Sequence, residues 1–152
     1  MPCQLKDVLC EENVRIGIHA IDKNDALRKM CSVLEQNHLV HSGEAFYKDV
    51  LLREELGPTC IGDGIAIPHG KSAAAKQPSV VVFQLDSPIK WESHMGIEEV
   101  TVVILFCVSD DDEAAKKHLR LLAEVARKLA HPEALVALKS AKTTRDVIGA
   151  LS

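Results

Sequence analysis

His69 is held between Pro68 and Gly70, and that setting makes it the first candidate for chemistry in this chain. Pro68 fixes its own φ and biases Ile67 towards extended backbone, so the chain enters His69 in a restricted pose. Gly70 is expected to leave open space beside the imidazole. A neutral imidazole offers one nitrogen lone pair near pH 7, because its ordinary pKa is about 6.5. Such a ring can act as a nucleophile towards an electrophilic group. Upstream, Gly62 and Gly64 bracket Asp63, a pattern that permits positive φ and a concavity of backbone N–H groups able to hold an anion. Ile61, Ile65 and Ile67 are apolar enough to anchor this piece in the core. Arg53 stands at the end of a helical pattern that breaks at Gly57-Pro58, where its charge suits the helix dipole and can reach over the loop. Its guanidinium can grip two oxygens of an anion at once.

Each residue has a plainer reading. A histidine in a Pro/Gly-rich loop is commonly an exposed turn residue. Arg53 could form a solvated helix-end ion pair with Glu54 or Glu55. His118 lies on one helical stripe with Leu122 and Val125, which fits a core-edge histidine satisfied by one hydrogen bond as well as a second active-site group. His38 and His41 have metal-compatible spacing but no third ligand nearby. Cys60 and His69 could form a thiol–base pair, yet no hydrolase motif accompanies them. Asp110 to Asp112 reads as a solvated helix start, and Gly62-Asp63-Gly64 lacks the Lys-Ser/Thr of a nucleotide-binding loop.

The whole segment Arg53-Glu-Glu-Leu-Gly-Pro-Thr-Cys-Ile-Gly-Asp-Gly-Ile-Ala-Ile-Pro-His-Gly-Lys71 resembles the signature of fructose/mannitol-type enzyme IIA domains of the bacterial phosphoenolpyruvate:sugar phosphotransferase system. Cys60 is the one departure, standing where that pattern has a small residue. The segment from His118 to Ala126 resembles the family's second motif, and the resemblance covers essentially the whole chain. It implies that His69 carries a phosphoryl group, that Arg53 is the active-site arginine, and that His118 donates to the phosphoryl oxygens. Thr59, Gly62, Gly64 and Gly70 become candidate phosphate-binding positions, and Lys71 a surface charge that helps dock a partner. The implied partners are the phosphocarrier HPr as donor and a cysteine of a IIB component as acceptor, with sugar entering through a membrane IIC component. No metal or organic cofactor is implied. Nitrogen-regulatory IIA proteins share the signature, so a regulatory role through the same histidine stands as the alternative to transport.

Composition sets the frame. The 152 residues make one expected domain, 1–152, large enough to bury roughly 70% of its unfolded surface without a disulfide or metal. Eighteen basic and twenty-two acidic residues, with one Trp and one Tyr, give no basic stripe for nucleic acid. Five scattered cysteines read as reduced thiols in a cytoplasm, and the N-terminus lacks the plan of a signal peptide. The apolar run Val100 to Val108 is far too short to span a membrane.

The elements that must position the candidates alternate between strand and helix. A helical turn is expected at Leu5 to Leu9 and a strand over Val14, Ile16 and Ile18. Asp22 caps a helix closing near Asn37, and Ser42 caps a second ending at Gly57-Pro58. Lys71 to Gln77 reads as a loop and Val80 to Leu85 as a strand turned by Ser87-Pro88 towards Ile89 and Trp91. Val100 to Val108 is a central strand buried on both faces. A long helix runs to about Ala130, followed by helices over Pro132 to Ala141 and, capped by Thr143, to Leu151. This pattern gives an α/β sandwich, and the resemblance implies a central mixed β-sheet flanked by helices on both faces.

Overall fold

The computed structural model describes residues 9–151, apart from the side chains of Asp112, Ala114, Ala115 and His118. The turn expected at Leu5 to Leu9 falls outside them except for Leu9, which is buried. A short 3-10 turn at Glu11–Asn13 leads into β1 (Val14–Ile18), α1 (Lys23–Gln36) and α2 (Gly43–Leu56). Then come β2 (Cys60–Gly62), β3 (Ile65–Ala66), β4 (His69–Ser72), β5 (Ser79–Ser93) and β6 (Gly96–Ser109). Three helices close the chain: α3 (Asp112–Leu129), α4 (Pro132–Lys139) and α5 (Thr144–Leu151).

The strands form one mixed sheet in the order β1-β5-β6-β3-β2, with β4 also paired to β6. β5 and β6 are antiparallel, whereas β1 runs parallel to β5 and both β3 and β4 run parallel to β6. β6 is the central strand, and its side chains alternate between two cores. Val103, Leu105 and Cys107 face Leu27, Met30 and Leu34 of α1 and Phe46 and Val50 of α2. Val102, Ile104 and Phe106 face Leu121, Val125 and Leu129 of α3, Leu138 of α4 and Val147 of α5. Helices therefore cover both faces of a mixed sheet, as the resemblance implied.

Local signals explain the helix ends. The Asp22 carboxylate accepts from the Asp25 N–H at 2.8 Å, and the Ser42 hydroxyl accepts from the Ala45 N–H at 3.2 Å. At α5 the Thr143 hydroxyl accepts from the Asp146 N–H at 3.1 Å, while the Asp146 carboxylate accepts back from the Thr143 N–H at 3.2 Å.

Four expectations need correction. Residues from Lys71 do not begin a loop: Lys71 and Ser72 continue β4, because that backbone finds hydrogen-bonding partners along β6. Ser87-Pro88 does not turn the chain; it sits in a register shift between Gln84 and Ile89 within the continuous β5, where a residue without an N–H is tolerated. Ile61 is not a core anchor but is 43% exposed, whereas Ile65 and Ile67 are buried. The helix begun at Pro132 ends at Lys139, short of Ala141.

β3 and β4 lie end to end along the same side of β6, Ile65 and Ala66 opposite Val102 and Val103, His69 to Ser72 opposite Phe106 to Ser109. Pro68 falls at the break between them. His69 is thus the first residue of a sheet strand, held by the ladder of the central strand where Val102 to Val108 are all buried.

Candidate functional site

In-register neighbours on parallel strands point to the same face, so His69 and Lys71 share a side with Phe106 and Val108. These four residues, with Arg53 and with Leu119 and Leu122 of α3, line a cavity of about 280 Å³. Gly70 points the opposite way, under α2. A Cβ there would lie 2.8 Å from Val50 Cγ2 and 3.1 Å from the Phe46 ring. The space expected beside the imidazole is therefore occupied by α2, and the glycine serves close approach of that helix to β4.

This approach brings Arg53 from one face of the sheet around the edge at β4 to His69 on the other. The Arg53 Nε–H donates to His69 Nε2 at 2.9 Å, and its Nη1 donates to the carbonyl of Gly57, the C-cap of α2, at 3.1 Å. The helix-end ion pair does not form: among the described residues Glu54 pairs with Lys23 at 2.8 Å, and Arg53 has no carboxylate partner.

The other ring nitrogen, Nδ1, faces the carbonyl of Ile67 at 3.4 Å. With Arg53 donating to Nε2 and a carbonyl accepting at Nδ1, the arrangement selects the neutral tautomer with its proton on Nδ1. Burial, followed by the charge of Arg53, pushes the His69 pKa below its ordinary value, partly opposed by Ile67 and Glu54. The ring is neutral and keeps a lone pair on Nε2, turned to the cationic side of the cavity.

His118 belongs to α3, adjacent in sequence to Leu119 and one turn before Leu122, both of which line the cavity. Its side chain lies outside the described residues. Thr59 is buried and its hydroxyl donates to the Glu54 carboxylate, whereas Gly62, Asp63 and Gly64, all three at positive φ, make the hairpin turn between β2 and β3. Ile65, which follows that turn, is four register positions along β6 from His69. None of Thr59, Gly62, Gly64 and Gly70 lines the cavity, so the structure gathers Arg53 and His69, with Lys71, and leaves the glycine-loop positions apart.

Cys60 is buried on β2 with its thiol 3.9 Å from the Glu98 carboxylate, and burial together with that carboxylate pushes the thiol pKa up. It is neither activated nor part of the cavity, and the thiol–base pair with His69 does not exist. Among the described residues no three His, Cys, Asp or Glu side chains gather as metal ligands, and no helix is long and apolar enough to cross a membrane. The apolar lining from Leu119 and Phe106 was missed in the sequence reading. Leu119 is a large apolar residue off the inward stripe of α3, which is the signal that could have found it, and in the fold it is exposed.

Residues 7–152 match the family model described as phosphoenolpyruvate-dependent sugar phosphotransferase system, EIIA 2. The chain belongs to this EIIA family. Across 146 residues it is 33% identical to the 2-O-alpha-mannosyl-D-glycerate-specific EIIABC component of Escherichia coli strain K12, covering 96% of this chain but only 21% of that protein. Over 145 residues it is 34% identical to the nitrogen regulatory protein of Klebsiella oxytoca, covering 95% of this chain and 87% of that protein. The EIIA fold is also that of enzyme IIA mannitol solved in complex with phosphorylated enzyme IIB mannitol from Escherichia coli, with a TM-score of 0.77 at 23% identity over 94% of this chain and 96% of that one. As an EIIA domain the chain falls within a phosphoryl-transfer family, and the known relatives include both sugar-specific and regulatory members.

Proposed function

We propose that this EIIA domain is a phosphohistidine carrier, with His69 as the phosphoryl acceptor and Nε2 as the attacking nitrogen. The observation that supports it is the neutral ring, with Nδ1 on the Ile67 carbonyl and Nε2 facing Arg53 over an apolar cavity. The phosphoryl group comes from the phosphohistidine of HPr. The Nε2 lone pair forms a bond to phosphorus as the donor's P–N bond breaks and its electron pair returns to the donor ring. His69 becomes cationic, and Nδ1 keeps its proton against Ile67. The Arg53 guanidinium leaves Nε2 and binds the phosphoryl oxygens, where charge spreads in the transition state. His118 adds a donor from α3. The group then passes to a cysteine thiolate of a IIB component; that the mannitol enzyme IIA forms a complex with its own phosphorylated enzyme IIB supports this partner. In this reading residues 1–152 form one EIIA domain that acts in the cytoplasm during fructose/mannitol-type sugar uptake and needs no metal or organic cofactor.

A regulatory role through the same phosphohistidine is the second reading, favoured by the match along 87% of a nitrogen regulatory protein. The carrier chemistry is tested by intact-protein mass after incubation with phosphoenolpyruvate, enzyme I and HPr. One acid-labile phosphoryl group on the wild type and none on His69→Ala is the expected result. No gain on the wild type, or an equal gain on the variant, would overturn it. Onward transfer to a IIB cysteine then separates transport from regulation.

A further inference from the structure

One carboxylate beside the site is buried and has no part in the transfer itself. The side chain of Glu54 is only 4% exposed, and a charge so placed is costly unless it is paired and hydrogen-bonded. Its Oε2 lies 2.8 Å from Lys23 Nζ, at the start of α1, and its Oε1 accepts from the Thr59 hydroxyl. Lys23 is held in turn by Glu92 at 2.7 Å and by the Trp91 ring, whose centroid is 5.2 Å from Nζ. Although burial pulls the Lys23 pKa down, Glu54 and Glu92 together hold it above the ordinary value.

This brace ends on the catalytic ring. The Thr59 carbonyl accepts from the Ile67 N–H at 2.9 Å, and the Ile67 carbonyl faces His69 Nδ1. Lys23, Glu54, Thr59, Ile67 and His69 thus form one continuous set of polar contacts, running from the N-terminus of α1 to the imidazole.

We infer that Glu54 and Thr59, with Lys23 as their counter-charge, are positioning residues that hold the Ile67 carbonyl against His69 and so lock the ring proton on Nδ1. This rests on the reading of His69 Nε2 as the phosphoryl acceptor, for only that tautomer leaves Nε2 its lone pair. Thr59 then needs no contact with phosphate. If the Ile67 carbonyl moves away, the Arg53 N–H at Nε2 is left alone to oppose a proton there, and the fraction with Nε2 free falls.

The test compares the full chain labelled with nitrogen-15 histidine as wild type, Thr59→Val, Thr59→Ser and Glu54→Gln, with His69→Gln assigning the His69 signals. Long-range proton–nitrogen spectra above the His69 pKa report which nitrogen carries the proton. The wild type should show a protonated Nδ1 and an unprotonated Nε2. Thr59→Val should show a mixture of tautomers and accept phosphoryl groups roughly fivefold more slowly, as loss of one ordinary hydrogen bond implies. Thr59→Ser, which keeps the hydroxyl, should restore both. Glu54→Gln keeps the shape, loses the charge that Lys23 requires, and tests the same point should Thr59→Val not fold. Wild-type nitrogen signals in the folded variants, whatever their stability, would overturn the inference, as would a wild-type ring protonated on Nε2. Failure of the wild type to accept a phosphoryl group would count against the acceptor reading and leave the tautomer comparison valid.

Discussion

Arg53 Nε and His69 Nε2 meet at 2.9 Å although they belong to elements on different layers of the sandwich. The contact exists because α2 ends at Gly57 beside the edge of β4, and because Gly70 lets the helix lie close. A guanidinium in this place lowers the affinity of the ring for a proton while lying beside the nitrogen that keeps its lone pair. Charge and geometry act in the same direction.

Arg53→Lys retains a positive charge but has no planar fork and no Nε–H at the position of the hydrogen bond. Loss of one charge-assisted hydrogen bond costs about 1.5–3 kcal/mol in the transition state, or about ten- to a hundredfold in the rate of phosphoryl acceptance. Rapid-quench measurement of phosphorylation should show this slowing with the thermal midpoint little changed. A wild-type rate would return Arg53 to a structural role.

The depressed pKa of His69 gives a pH signature with a definite sign. In the unfolded chain the ring titrates near its ordinary value of about 6.5, and in the fold it titrates lower. Between those two values the unfolded state binds a proton that the folded state does not, so stability falls as pH drops through about 6.5. Chemical denaturation of wild type and His69→Gln across this range should show a steeper acid loss for the wild type. The acid limb of phosphoryl acceptance should likewise lie below about 6.5, and Arg53→Gln should move it upward. An acid limb unmoved by Arg53→Gln would show that Arg53 does not set the protonation of the ring.

Gly70→Ala tests why a glycine follows the histidine. A methyl group would meet the stiff Val50 side chain and the Phe46 ring, and overpacking of this kind costs about 1–3 kcal/mol. Urea denaturation should show that loss, accompanied by slower phosphorylation as α2 and Arg53 are pushed away from β4. Unchanged stability would mean that α2 shifts freely, and that the close approach is not what the glycine provides.

The legible parts of this fold were those set by neighbouring residues. The caps at Asp22, Ser42 and Thr143 act over three positions, and the Val100 to Val108 run is apolar on both faces because β6 is central. His69 and Arg53 stood out as candidates because the restricted backbone and the helix end are local too, and the resemblance of the whole segment to the EIIA signature singled them out. Ile61 was misread because Gly62, Asp63 and Gly64 all take positive φ, and a turn of that kind breaks the alternation shared with Ile65 and Ile67. Gln84 donates to the carbonyls of Leu138 and Ala141 at 3.3 and 2.8 Å, fastening the end of α4 to the sheet. That contact, like Glu54 with Lys23, joins residues distant in sequence and leaves no periodic trace. Gly17 is a similar case. Its positive φ accompanies a register shift in β1, so Ile16 packs with the α3 side of the sheet and Ile18 with the α1 side.

The central claim is that His69 Nε2 bears the phosphoryl group. Phosphorus–nitrogen coupling in the phosphorylated, nitrogen-15 histidine-labelled protein tests it most directly, with His69→Gln as the assignment control. Coupling to Nε2 of His69, with Nδ1 still protonated, is the predicted result. Coupling to Nδ1, or to another histidine such as His118, would contradict the account.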